Sequence, residues 1–132
     1  MSFAADVIGV LPFLRTQAES LMVDACTIER PGEPVTDPDG NVTTGTTLVY
    51  SGKCKVQSKD SLVSTPDSAG ASFVVVSRQV HIPAGAADVQ DGDVVTVTAS
   101  LLNPFGVGKQ YRVEGFEPDT YDTAARLPVK IL

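Results

Sequence analysis

Few residues in this chain can do chemistry. One histidine, His81, and two cysteines, Cys26 and Cys54, are the candidates for nucleophilic or general-base work. A thiol attacks only as the thiolate, which needs a nearby cation, base or helix N-terminus. Nothing local to either cysteine supplies one. Both fall on the apolar face of an alternating stretch, so they are read as buried free thiols, with a disulfide as the alternative. His81 stands on a strand edge before Ile82-Pro83, where a surface or half-buried side chain is a plainer expectation than a base. Together the three cannot make a structural zinc site, which takes four ligands.

The oxygen-rich stretches fare no better. Asp37, Asp39 and Asn41 alternate like the start of a calcium loop, but the positions that require Gly and Glu hold Val42 and Leu48. A plain β-turn accounts for them, as it does for Asp91-Gly92-Asp93. Gly106-Val107-Gly108-Lys109 lacks the glycine spacing, the following Ser or Thr and the helix of a phosphate cradle. With no acid–base pair anywhere, the expectation is a protein without turnover, metal or cofactor.

The bulk properties narrow the class further. A chain of 132 residues makes one ordinary domain. It carries 10 basic against 16 acidic residues, a net charge of -6, with no basic run. That argues against a reader of DNA sequence, and DNA lying nearby would be repelled rather than gripped. Five Phe, three Tyr and no Trp give little to stack a sugar or base upon, which disfavours a soluble ligand-binding barrel. The apolar runs are too short to cross a membrane, and Met1-Ser2-Phe3-Ala4-Ala5-Asp6 has no basic leader.

The elements that position these residues follow from periodicity. Val7, Leu11, Leu14, Ala18 and Leu21 recur at helical spacing, with Phe3 extending the stripe and Ser2 as N-cap. Arg15, Thr16, Gln17 and Glu19 fall mostly opposite. Gly9 and Pro12 predict a kink, or a helix that starts near Pro12. The stripe is a candidate contact with a neighbouring subunit as well as packing surface. From Cys26 the period changes to two. Strands are expected around Cys26–Arg30, Leu48–Gln57, Val74–Ile82, Val95–Leu101, Tyr111–Val113 and Leu127–Ile131, with Arg78 breaking its apolar face. Pro31-Gly32-Glu33-Pro34 is expected to stop the first. Six short strands with turn residues between them predict a small barrel or sandwich, and in so short a chain a closed β-barrel is the economical way to hide strand edges. The organisation is thus a helical arm over residues 1–24 and a barrel over 25–132. Residues 58–71, small and polar, are expected to form a long loop.

One resemblance spans nearly the whole chain. It rests on Leu21-Met22-Val23-Asp24, Cys26-Thr27-Ile28-Glu29-Arg30-Pro31 and Val49-Tyr50-Ser51-Gly52-Lys53-Cys54-Lys55-Val56-Gln57. Val80-His81-Ile82-Pro83, Val89-Gln90-Asp91-Gly92-Asp93-Val94-Val95 and Gly108-Lys109-Gln110-Tyr111-Arg112-Val113 continue it. In these segments the chain resembles the head closure, or head-to-tail stopper, proteins of long-tailed (siphovirus-type) actinobacteriophages. The resemblance implies a virion protein, assembled in the host cytoplasm, whose copies form a dodecameric ring. That ring would lie below the portal and adaptor and above the tail terminator or tail tube, closing the filled head and docking the tail. Packaged double-stranded DNA would pass through its channel without sequence recognition, and no membrane is involved. The family's channel loop corresponds here to Lys59, Asp60, Ser61, Leu62, Val63, Ser64, Thr65, Pro66, Asp67, Ser68, Ala69 and Gly70. A tail-terminator or tail-completion protein is the alternative within the same class.

Overall fold

The computed structural model of the chain describes residues 3–64 and 72–132, and side chains outside 59–76. Helix α1 (Phe3–Ser20) precedes strands β1 (Asp24–Thr36), β2 (Val42–Ser64) and β3 (Ser72–Pro83). Strands β4 (Val94–Ser100), β5 (Gln110–Val113) and β6 (Ala124–Ile131) follow. Every pairing among them is antiparallel, and the order β1-β2-β3-β6-β5-β4 returns to β1. The protein is therefore mainly β, a small barrel with an N-terminal helix, as its periodicity requires. The ring is uneven, because β5 pairs over only three positions with each neighbour.

Alternation builds the interior. Cys26 and Ile28, Cys54, Val80 and Ile82, Val95 and Val97, Tyr111 and Val113, and Leu127 and Val129 are all buried in one cluster. Full burial of an aliphatic side chain of this size stabilises by roughly 2 kcal/mol, so this lining is the main source of fold stability. Val89 and Phe116 pack on it from the connections. The face ends where the barrel ends. Leu48, Leu101 and Ile131, in phase with buried neighbours, are exposed. At Leu48 the phase also changes, because the register shifts between Ile28 and Glu29.

The strands are not all short. β1 continues through Pro31-Gly32-Glu33-Pro34 instead of stopping there, and β2 runs for 23 residues. Beyond Glu29, β1 has lost β4 and keeps only β2 beside it. Its free edge tolerates prolines, which lack a donor, and the register shifts between Pro31 and Pro34. At the turn, Asp37 Oδ1 accepts the backbone N–H groups of Asp39 and Asn41, and Gly40 takes φ +86°.

A second ribbon leaves the other end of β2. Residues 58–64, expected as loop, are strand, paired with 72–78 of β3. Backbone hydrogen bonding is indifferent to the small polar side chains that made this segment look like a loop. β6 leaves β3 at Arg78, so the pairs from Lys59↔Ser77 to Ser64↔Ser72 have no third strand beside them. Each ribbon projects about 20 Å from the barrel at the usual rise per residue. They leave at opposite ends of β2.

α1 is one helix from Phe3, with Pro12 in its interior, and does not begin at Pro12. The donor that Pro12 lacks would have met the carbonyl of Ile8, and both residues are exposed, so water can serve that carbonyl. Thr16 Oγ1 donates to the Pro12 carbonyl, 2.9 Å away.

Candidate functional site

The residues expected to do work lie in three places. Of the candidate channel segment, Lys59–Ser64 form the outer part of β2 in the free ribbon. Thr65, Pro66, Asp67, Ser68, Ala69 and Gly70 lie outside the described residues. The helix stripe divides: Leu11 is buried and Val7 and Ala18 are half-buried, whereas Leu14 is 42% exposed and Leu21 59%. The side that α1 turns to the barrel carries Val7, Leu11, Arg15 and Ala18, with the buried Met22 just past its end. Arg15 and Glu19, expected to face away, bind barrel residues. Arg15 Nε donates to the Asp122 carbonyl at 3.0 Å, and Glu19 pairs with Lys53 at 3.0 Å. Leu14 and Leu21, with Phe13, form an apolar surface that the chain itself leaves uncovered.

The residues with reactive side chains serve the fold. Cys26 and Cys54 are free and buried, and Cys26 together with burial pushes the Cys54 thiol far above its ordinary range. Such thiols are inert.

His81, expected at a surface or half-buried, is only 7% exposed. It alternates with Val80 and Ile82 and so lies on the outer face of β3, the strand that α1 covers. Burial, then Lys55 and Arg126, push its pKa from 6.5 down to about 4. Between those values the unfolded chain binds more protons than the folded one. Stability is therefore complete above about pH 6.5 and falls towards pH 4, by about 2 kcal/mol after allowing for solvent screening of the two cations. Chemical denaturation of the wild type and His81→Gln at pH 7 and pH 5 checks this. The wild type should lose more stability than the variant over that interval, and equal losses would contradict it.

Sequence reasoning missed one ion pair. Asp93, in the turn before β4, is 1% exposed. Its carboxylate accepts two bonds from Arg30, from Nε at 3.0 Å and Nη2 at 3.1 Å, and one from the Gln90 backbone N–H at 2.9 Å. Arg30 Nη2 also donates to the Asp88 carbonyl at 2.8 Å. Asp93 is the chief cause of a raised Arg30 pKa. Gly92 takes φ +92° to make the turn, and Asp91 Oδ1 accepts the Gly115 and Phe116 N–H groups. Arg30 is the first residue of β1 past its pairing with β4, so the pair clamps the base of the first ribbon.

The end of the barrel where β1 starts is a cavity of about 310 Å³. Val56, Val97 and Tyr111 form its floor; Lys55, Arg78, Lys109 and Asp24 line it, with Leu21, Val23 and Leu102 at the rim. Arg78 breaks the apolar face of β3 because it stands at this mouth. Among the described residues no group of acids, histidine or cysteines is arranged to hold a metal ion, and no helix is long and apolar enough to cross a membrane.

The chain matches no curated protein. The model of a family of unknown function, DUF6093, matches residues 14–130, which take in the last turns of α1, the clamp, the mouth and both ribbons; the chain belongs to that family.

Proposed function

We propose that this protein is a structural ring subunit of a phage head–tail connector, acting without turnover to close the DNA-filled head and offer the tail a docking surface. The observation that carries this reading is the pair of ribbons leaving the barrel at opposite ends of β2. A two-stranded ribbon is marginally stable alone in water, so each gains from a neighbour to lie against. A barrel with one such arm at each end can hold a neighbour on either side, as a ring subunit in a stack must. The excess of acidic residues fits a channel wall that DNA slides past without gripping. Copies of the chain around the ring, the adaptor or portal on one side and tail proteins on the other are the partners in this reading. Its location is the virion. Density from purified particles tests it directly: the chain should occupy a ring between portal and tail, and particles that lack it altogether would refute the proposal.

The uncovered helix surface is the second docking element. Leu14→Asp and Leu21→Asp change residues that contribute little to the core, so the variants should fold with a near-native melting temperature. They should enter particles poorly, because a charge would then face an apolar partner surface. Leu11→Asp, at a buried position, should instead destabilise the fold itself. Normal incorporation of folded Leu14→Asp and Leu21→Asp chains would remove the helix from the docking surface.

A further inference from the structure

We infer that copies of this chain associate head to tail, the acidic turn at residues 37–41 of one copy seating in the cationic mouth of the next. The inference rests on the ring reading above and names the contact that would build the ring.

The mouth is unusual in so acidic a protein. Arg30, Lys53 and Lys130 have carboxylate partners at 3.0 to 3.1 Å. Arg78 and Lys109, both lining the mouth, have none among the described residues. Asp24, the one carboxylate on the wall among the described residues, already accepts the Ser100 hydroxyl at 2.7 Å. Two cations sharing a small cavity repel one another, and an incoming anion relieves that repulsion. A volume of about 310 Å³ is at the small end of ligand pockets and takes the tip of a turn more readily than a cofactor.

The opposite end of the same barrel carries the complement. Residues 31–52 include Glu33, Asp37 and Asp39 and no basic residue. Asp37 spends Oδ1 on the turn, while Asp39 makes no side-chain bond and is exposed. β1 begins beside the mouth at Asp24 and ends at Thr36, so mouth and tip stand roughly 40 Å apart. They cannot meet within one copy. Two complementary patches at opposite ends of a subunit make a heterologous contact, which propagates and closes into a ring when the rotation allows.

Sedimentation of the whole chain tests this through a charge exchange. The wild type should be monomeric when dilute, associate as concentration rises in low salt, and dissociate in high salt. Asp39→Lys and Lys109→Glu, both at exposed positions, should each weaken self-association by about tenfold or more, since like charges then face each other. Mixing the two variants should restore it, because each then offers the other a matching end. A wild type that stays monomeric at every concentration in low salt overturns the inference. So do variants that associate as well as the wild type, or a mixture that associates no better than its components. The ring reading is judged separately, by particle density, so either can fail without the other.

Discussion

Replacing residues 60–70 with a short Gly-Ser linker is expected to leave a folded barrel that still joins particles, while most heads carrying it lose their DNA. The stability half of this expectation follows from pairing. Past Arg78↔Val129 the β2–β3 ribbon pairs with no third strand, so removing it leaves the pairing of the barrel strands unchanged. Loop-closure entropy changes slowly with length, and the melting temperature should move by no more than a few degrees. The functional half follows from the proposed role. A ribbon that leaves the barrel at one end and gains little by lying free in water is suited to be held by neighbouring copies around a channel. Without it the ring would form and fail to retain DNA while awaiting tails. DNA content of purified heads, with infectivity alongside, reads the outcome. Particles that keep their DNA and infect normally would make this protein a passive adaptor.

The difference between barrel and ribbons also marks what the sequence made legible. Wherever a strand has one face on the interior, period-two alternation is written in the residues, as in Val80 and Ile82 or Val95 and Val97. The turns are equally plain, from Asp37-Pro38-Asp39-Gly40-Asn41 to Asp91-Gly92-Asp93. A ribbon has no interior. Its pairing is made by the backbone, so Pro31-Gly32-Glu33-Pro34 and Ser58-Lys59-Asp60-Ser61 carried turn and loop composition into paired strand. The helix was half legible for a related reason. An apolar stripe identifies a helix, but Leu14 and Leu21 match the apolar period as well as Leu11 does. The face that meets the barrel also holds Arg15, bonded to the Asp122 carbonyl, and Glu19, paired with Lys53, and no local pattern announces partners so distant in the chain.

The Arg30–Asp93 pair joins residues 63 apart, and losing it should cost the fold several kcal/mol. Asp93→Ala should lower stability by about 3 kcal/mol, because a buried, three-fold bonded carboxylate disappears and its donors lose their acceptor. The Gln90 N–H is left without its bond, and Arg30 keeps only the Asp88 carbonyl. For a domain of this size the melting temperature should fall by on the order of 10 °C. Asp93→Asn preserves shape and one acceptor, so it should fall between the two. Arg30→Ala should cost a comparable amount, since it leaves the buried Asp93 carboxylate without its countercharge, and the double variant should be little worse than either single variant. Additive losses would show that the two residues act separately. The clamp also ties stability to assembly. Arg30 stands where β1 leaves β4 and the first ribbon begins, so loosening it frees the base of the arm that carries Asp37 and Asp39. Well below its melting temperature, folded Asp93→Ala protein should therefore self-associate more weakly than the wild type. Because the substitution removes a negative charge from an acidic protein, simple charge repulsion predicts the reverse.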